Sequence, residues 1–423
     1  MDDSTQSNLL RYIDDRQDEL VYAAQALVQA PSPNPPGDIS SVAQVATDLI
    51  KKAIPSCVVT THQTAPGIVN VVAVIQGNAL GRRLVFNGHL DTYPYGDQSK
   101  WSDSPISGTL SDDGKRMYGR GSSDMKGGIA ASIIACAALA EHKESWNGEV
   151  ILALAGDEET MGTLGSGYLL DNVNAVQCDA MICPDAGSPT VVRIGEKGLV
   201  WVEISATGIP AHGAHVHKGI NAIQRLLEAL TALKGLENLV INCPQEVEDV
   251  IMAAKDISEP LGGIGEQDTL RRLTVNIGTI HGGASPNLVP AEARAAADIR
   301  LPMGISTEDV IQHLHLALDA LQGVSFQVTR QYDPSWTSPS EEIVKLSLEA
   351  ARSVVSPSAV ANMRVGASDA RLFRAKGIPT VVVGLTPYNM GGPDEYIMTD
   401  ELAQVAKIHL LSSWQFLQQR KEI

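Results

Sequence analysis

The stretch Val150-Ile151-Leu152-Ala153-Leu154-Ala155-Gly156-Asp157-Glu158-Glu159 is the most informative part of the chain for its fold. The first six residues are continuously apolar, as in a strand that is buried on both faces of a sheet. Three carboxylates follow at once, and charge at the end of a buried strand is costly unless a cation neutralises it or the loop is solvated. The stretch therefore predicts a parallel sheet with charged groups at the strand ends.

Similar apolar segments of strand length surround this stretch and alternate with helical patterns. The predicted elements of this region are helices over 7–30, 40–53 and 126–141 and strands over 67–75, 83–86, 149–155 and 180–183. A proline-rich segment ends the first helix. This alternation is typical of helices that cover a mostly parallel sheet, so we predict an α/β domain.

The pattern changes after about Glu196. The order becomes strand, helix, two strands, helix and strand, over 199–206, 221–236, 273–280, 294–301, 307–321 and 324–332. This is the order of a split βαβ sandwich. The α/β pattern then resumes, with helices over 340–354, 369–375 and 399–419 and a strand over 380–384. We therefore predict one domain from 1–196 plus 333–423, and an inserted α+β sandwich over 197–332.

The composition is that of a globular protein and excludes several classes of function. The 423 residues are 44% hydrophobic and 19% charged, and 32 Lys and Arg against 49 Asp and Glu give a net charge of −17. This charge disfavours nucleic acid or an anionic membrane as a partner. We find no apolar run of about 18 residues for a membrane span and no secretory signal at the N-terminus. The 5 scattered cysteines are typical of free thiols in a reducing compartment, so we expect a cytoplasmic location.

A histidine and several carboxylates follow the predicted strands at intervals of roughly one strand–helix unit. His89 and Asp91 follow one strand, Glu159 and Asp185 follow two others, and Asp124 lies in a Gly-rich turn that opens a helix. Taken singly, each has a structural interpretation as a hydrogen-bonded histidine, a helix N-cap or part of a solvated loop. Together at one sheet edge they form an N/O ligand set that suits Zn²⁺, with Co²⁺ or Mn²⁺ as alternatives.

These segments resemble the co-catalytic metallopeptidase and amidohydrolase family that includes acetylornithine deacetylase, succinyl-diaminopimelate desuccinylase, aminoacylase and glutamate carboxypeptidase. The resemblance covers nearly the whole chain. The further matching motifs are Trp101–Pro105, Ala211-His212, Gly219–Ile223, Gly282–Pro290, Asp298–Arg300, Gly366–Arg371 and Pro393–Tyr396. The resemblance implies a zinc-dependent enzyme that hydrolyses an amide bond in an N-acyl amino acid or small peptide. A dipeptidase or carboxypeptidase on the same scaffold, and a repurposed binding protein, are the alternatives.

The resemblance also implies how a metal centre would be built. His89 and Glu159 would hold a first ion, Asp185 a second, and Asp124 would bridge the two, so that each subunit carries one or two ions. Asp91 would orient His89 by accepting its other ring N–H.

A general base and an unusual peptide bond belong to the same implied site. Glu158 would take a proton from the attacking water and deliver it to the leaving amine. The peptide bond between Asp124 and Met125 would be cis.

Further matched positions would contact the substrate. His212 would come from the inserted domain of a second subunit and polarise the substrate carbonyl, which implies a homodimer. His215 and His217 lie nearby and compete for this assignment. Asn287 and Arg300 would contact the polar end of the substrate, and the alternative for Arg300 is a structural ion pair.

Two glycines complete the match and mark its one departure. Gly366 corresponds to a loop position where the backbone approaches the substrate, with an ordinary turn glycine as the alternative. Gly391 stands where the deacetylases of the family carry a final metal-binding histidine. His409, within the apolar pattern of the last helix, is expected to be structural. The second site then keeps only two carboxylates, which leaves open one tight ion, a replacement ligand or a changed activity.

Overall fold

The computed structural model describes residues 3–418, which form a large mixed sheet, a smaller antiparallel sheet, two short ladders and the helices around them. The helices are Asp3–Asp14 (α1), Gln17–Gln29 (α2), Ser40–Ala53 (α3), Gly127–Glu141 (α4), Ser166–Asn172 (α5), Ala222–Lys234 (α6), Gln245–Gly262 (α7), Glu266–Arg271 (α8), Thr307–Leu318 (α9), Glu342–Val354 (α10), Ala370–Ala375 (α11) and Thr399–Gln418 (α12). The strands are Val58–Ala65 (β1), Ile68–Gln76 (β2), Arg83–His89 (β3), Arg116–Tyr118 (β4), Glu149–Ala155 (β5), Ala180–Cys183 (β6), Val191–Glu196 (β7), Gly198–Thr207 (β8), Ala211–His212 (β9), Thr274–Gly282 (β10), Leu288–Val289 (β11), Glu292–Leu301 (β12), Val324–Tyr332 (β13), Ser335–Trp336 (β14), Val360–Arg364 (β15), Thr380–Val382 (β16) and Tyr396–Met398 (β17).

The large sheet is mixed, with a parallel middle, antiparallel pairs on both sides and the strand β15 parallel to β7. Its strand order is β1-β2-β5-β3-β6-β16-β7-β14, and β15 pairs with β7 outside this path. The strands β5, β3, β6 and β16 run parallel to their neighbours in that order. Antiparallel pairing joins β1 to β2 and β2 to β5 on one side, and β16 to β7 and β7 to β14 on the other. The α/β class is therefore confirmed, and the parallel middle contains the three strands that the candidate ligands follow.

Helix α4 is the centre of the helical layer on this sheet. It packs against α2, α3 and α12, and α12 also packs against α1 and α10. Every residue of α4 from Gly127 to Leu139 is buried. The stretch Ser122–Glu141 is long and apolar enough to cross a membrane, but 89% of its most apolar window is buried inside the protein. Such burial is typical of a core helix that is apolar on all sides.

The first predicted helix, 7–30, is wrong as a single element, because the chain turns between α1 and α2. Arg16 has a non-helical backbone conformation, with φ −122° and ψ 26°. Six polar residues in a row, 14–19, leave the middle of the predicted helix without an apolar side chain to bury. The two halves therefore pack separately. At the other end, α12 is described to Gln418, so its predicted last residue, Gln419, lies outside the described residues.

The smaller sheet belongs to the inserted segment and has its own core. Its antiparallel order is β10-β12-β8-β13, and α6 and α9 pack on it and on each other. The buried residues of this core run from Val200 to Leu318. Strand β10 lies at the edge of the sheet and is exposed from Asn276 to Gly282.

Two helices within 197–332 are not among the predicted elements. Helix α7 packs against β15 and β7 of the large sheet, and α8 packs against α7. Their buried residues Val247, Ile251 and Leu270 belong to the core of the large sheet. The inserted segment thus contributes to both cores, and the proposed domain boundaries stay a prediction.

The surroundings of His409, on α12, indicate a structural role for this residue. The ring is fully buried, with Nε2 2.7 Å from the main-chain oxygen of Val383 and Nδ1 3.3 Å from the hydroxyl of Ser132. The Val383 oxygen only accepts hydrogen bonds, so Nε2 carries the proton. Burial lowers the pKa of His409 to about 4, although the bond to Val383 opposes this change.

This lowered pKa predicts an acid-sensitive stability. Between pH 6.5 and 4 the unfolded chain protonates His409 and the folded protein does not, so the folded state loses stability as the pH falls. From pH 7 to pH 5 the loss from this group is about 2 kcal/mol. Urea unfolding of metal-free wild type and His409→Gln at both pH values should show this difference, because glutamine can donate to Val383 but does not titrate. Equal losses in the two proteins would contradict the assignment.

Candidate metal centre

Three neighbouring parallel strands bring the predicted ligands to one edge of the large sheet. His89 is the last residue of β3, Glu158 and Glu159 lie in the short 3₁₀ turn after β5, and Asp185 follows β6. The ends of adjacent parallel strands form the crevice in which α/β proteins bind ligands. Asp124 comes from the turn before α4. The predicted convergence of these side chains is therefore present.

The ligand atoms form two groups that share His89. In one group His89, Glu158 and Glu159 offer atoms within 4.8 Å of one another, and in the other His89, Asp124 and Asp185 do so. The peptide bond between Asp124 and Met125 is cis, as the resemblance implies. Nitrogen and carboxylate oxygen atoms at such separations can converge on a divalent cation.

The ring of His89 is fixed from both sides. Its Nδ1 lies 2.9 Å from the main-chain oxygen of Asp91, and its Nε2 lies 3.1 Å from Oδ1 of Asp124. Burial lowers the pKa of His89, but hydrogen bonds to Asp124 and Asp91 outweigh it and raise the pKa well above its ordinary value. Since Nδ1 donates to a carbonyl, Nε2 is the nitrogen available to a metal ion.

The carboxylate of Asp91 mainly holds the glutamate turn. Its Oδ1 accepts from the main-chain N–H of Glu158 at 3.2 Å, and its Oδ2 accepts from that of Glu159 at 3.1 Å. The side chain of Asn34 also donates to Oδ2, at 2.9 Å. The carboxylate is 3.5 Å from Nδ1 of His89, so the closer contact to that ring comes from the Asp91 main chain. The proline-rich sequence around Asn34 does not predict the hydrogen bond from Asn34 to Asp91.

The crowded carboxylates of this site suit a bound cation. Burial and the nearby Asp124 raise the pKa of Glu159 to about 10, and burial also raises the pKa of Glu158 well above its usual range. The Oε1 atom of Glu159 is buried without a hydrogen-bond partner. An unpaired buried carboxylate oxygen is costly. The carboxylates grouped around His89 therefore suit a divalent cation.

Arg364, the last residue of β15, is a part of the site that sequence reasoning missed. Its Nη1 donates to Oδ2 of Asp185 at 2.7 Å, and the two side chains are 14% and 3% exposed. Burial lowers the pKa of Arg364, but the charge of Asp185 outweighs it and raises the pKa. A Cβ at Gly366 would meet only the Arg364 guanidinium, at 3.9 Å, so this glycine lies beside the ion pair. The one signal in the sequence is an arginine two positions before Gly366.

The loop of Gly391 is anchored close to the turn of Asp124. Arg120 donates to the main-chain oxygen of Gly391 at 2.9 Å and to the carboxylate of Glu395 at 2.6 Å. Glu395 accepts in turn from the main chain and hydroxyl of Ser123. Within residues 3–418, the two ligand groups contain no histidine other than His89.

Three of the predicted substrate residues, His212, Asn287 and Arg300, lie in the inserted segment, and none of them joins the ligand groups among the described residues. His212 is exposed, with its Nδ1 accepting from the main chain of Ala214 at 3.1 Å. The main chain of Asn287 accepts from Gly213 at 2.7 Å, so this residue lies beside the His212 turn. Arg300 bonds both carboxylate oxygens of Asp298 at 3.0 Å, which is the ion pair that its alternative interpretation expects.

Two other histidines stay close to His212. The ring centroids of His212 and His215 are 6.0 Å apart, and those of His215 and His217 are 5.8 Å apart. All three side chains are exposed. The three candidates for the oxyanion contact therefore lie together on one exposed turn.

Known proteins share both the sequence and the fold. Residues 85–412 match peptidase family M20/M25/M40. A succinyl-diaminopimelate desuccinylase of Rhizorhabdus wittichii is 30% identical over 402 residues, which cover 91% of this chain and 94% of the relative. A metallo-carboxypeptidase of Sulfolobus solfataricus has a TM-score of 0.79 at 24% identity over 94% of this chain and 100% of its own. A dinuclear metal-binding peptidase of Bacillus subtilis has a TM-score of 0.66 at 14% identity over 96% and 99%. With a family match over most of its length and a metal-ligand cluster at the sheet edge, the chain belongs to peptidase family M20/M25/M40 and is a metal-dependent hydrolase.

Proposed function

We propose that this hydrolase cleaves the amide bond of an N-acyl amino acid, with Glu158 as general base. The observation that carries the proposal is that two ligand groups share His89 at one sheet edge, one with Glu158 and Glu159 and the other with Asp124 and Asp185. Binding alone needs no general base, and the Asp91 carboxylate holds Glu158 next to the ligands. The desuccinylase of R. wittichii, which resembles this chain over 91% of its length, supports an acyl group on the substrate nitrogen.

We propose Zn²⁺ as the cofactor, held by His89, Asp124 and Glu159, with Co²⁺ or Mn²⁺ as substitutes. When bound, such an ion activates water and polarises the scissile carbonyl. The proposal is supported by the unpartnered Oε1 of Glu159 and by a donor set of one imidazole and several carboxylates.

The protein side chains would divide the remaining work. Glu158 would accept a proton from the attacking water and pass it to the leaving nitrogen. Asp91 would keep the glutamate turn in place through the main-chain bonds to Glu158 and Glu159. His212 would donate a hydrogen bond to the oxyanion, and Asn287 and Arg300 would contact the polar end of the substrate.

A homodimer follows from the same proposal. His212 lies outside the ligand groups of its own chain, as far as residues 3–418 are described. The exposed edge strand β10 offers unpaired backbone groups, which are a template for pairing with a second chain. We also propose a reducing compartment such as the cytoplasm, supported by five free cysteines.

A peptidase acting on a dipeptide or on a peptide C-terminus is the second candidate. The observation in its favour is the likeness of the fold to a metallo-carboxypeptidase and to human carnosine dipeptidase 1, with TM-scores of 0.79 and 0.71.

Metal removal and a substrate panel would test these proposals together. We expect activity to fall to background after chelation and to return with Zn²⁺, Co²⁺ or Mn²⁺, because the water then regains its activating cation. N-acetyl and N-succinyl amino acids should be cleaved faster than unblocked dipeptides, as measured by release of free amine. Full activity in a metal-free sample would refute the metal requirement, and a preference for dipeptides would favour the peptidase.

A further inference from the structure

We propose that the guanidinium of Arg364 takes the place of a second metal ion, so that each subunit holds one tightly bound ion beside a fixed arginine. The inference rests on the proposed function for the first ion, at His89, Asp124 and Glu159. It adds a role for a residue that has none in the mechanism above.

The protein already donates to both carboxylate oxygens of Asp185, and one of the donors is a cation. Its Oδ2 accepts from Nη1 of Arg364 at 2.7 Å, and its Oδ1 accepts from the main-chain N–H of Ala186. Asp185 is the carboxylate that the resemblance gives to the second ion. Both of its oxygens are already used by donors of the protein.

The histidine that the resemblance gives to a second ion has no counterpart at its position in this chain. Gly391 offers no side chain, and a Cβ at this position would meet nothing within 4 Å. The loop is nevertheless held near the Asp124 turn by Arg120, through Gly391 and Glu395. Among residues 3–418 the ligand groups supply no replacement histidine. His89 also lies within reach of Asp124 and Asp185, but the first ion uses its one free ring nitrogen. A second ion would then keep two carboxylates, one of which is bound to an arginine, and this is a poor site for Zn²⁺.

Arginine differs from other side chains that could lie beside a metal ion because its positive charge is permanent. A guanidinium does not lose its proton in a protein, so Arg364 cannot become neutral to admit a cation. Two unscreened positive groups on one carboxylate repel each other strongly in a largely buried site. Arg364 is therefore a positioning residue that supplies permanent positive charge to Asp185 and, across it, to Asp124.

Counting bound ions tests this inference without any substrate. Metal-free protein is dialysed against micromolar Mn²⁺, and bound metal is measured by elemental analysis and by electron paramagnetic resonance. We expect one ion per wild-type subunit and only the spectrum of isolated Mn²⁺. Arg364→Ser should bind a second ion and show spin coupling between two neighbouring ions, since Asp185 is then free. Arg364→Lys, which keeps the positive charge, is the matched control and should still bind one ion per subunit.

Each result has a defined meaning. Two ions in the wild type, or one ion in a folded Arg364→Ser protein, overturn the inference. No ion in the wild type overturns the proposed function itself, and with it the first ion on which this inference depends. If Arg364→Ser does not fold, as seen by circular dichroism, the wild-type spectrum decides alone, because coupled ions there contradict the proposal.

Discussion

Glu158→Gln should lower kcat by roughly 10²- to 10⁴-fold while the protein keeps its fold and its metal ion. Glutamine has nearly the same shape as glutamate but cannot accept the proton of the attacking water. The main-chain bond from residue 158 to Asp91 does not depend on the side chain, so the turn should stay in place. Steady-state release of amine from the best substrate of the panel measures the effect.

Two further variants separate loss of the base from loss of the ion. Glu159→Gln should weaken metal binding, because Glu159 contributes one of the proposed ligands, whereas Glu158→Gln should bind metal as the wild type does. Glu144→Gln, on the exposed turn after α4, is the matched control and should be fully active. Near-normal turnover by a metal-loaded Glu158→Gln protein would show that another group acts as the base.

His212→Ala should reduce kcat by roughly 10²- to 10³-fold, as expected for loss of one donor to an oxyanion. If His212 acts in the site of a second subunit, activity should return when this variant is mixed with Glu158→Gln. The His212→Ala subunit keeps its own base and receives the missing histidine from the other chain. After random exchange, about one quarter of all sites should be complete in a symmetric dimer. Activity of the mixture against time measures the recovery.

The neighbouring histidines provide the controls for this experiment. His215→Ala and His217→Ala should keep near-normal kcat, and a large loss in either would move the assignment to that residue. Subunit exchange in a sample of His212→Ala alone should restore no activity, because no chain supplies the histidine. Full activity of a wild-type monomer, shown by light scattering during turnover, would argue against sharing of the site between subunits.

The convergence of the ligands was predictable because it follows from sheet topology. Apolar runs identified β3, β5 and β6, and the ends of neighbouring parallel strands meet at one edge of a sheet. The local sequence then placed His89, Glu159 and Asp185 at those ends. No packing detail was needed, and the side chains lie together in the structure although antiparallel strands flank the parallel middle.

Contacts between distant segments were not predictable in this way. The bond from Arg364 to Asp185 joins residues 179 positions apart, and β15, which carries Arg364, was not recognised as a strand. Helix α7 has buried residues at helical spacing, Val247, Ile251 and Ala254, but only the structure shows that they pack on the large sheet. The direction of the Asp91 carboxylate likewise depends on loop geometry that no local pattern encodes.

The packing of α12 on α4 has a consequence for how the protein is made. Residues 399–418 are synthesised late, whereas the strongly apolar α4 leaves the ribosome much earlier. Until the last helix arrives, one side of α4 has no cover, and exposed surface of this kind attracts chaperones and other nascent chains. The order of synthesis thus makes the arrival of α12 the step that protects α4 from aggregation.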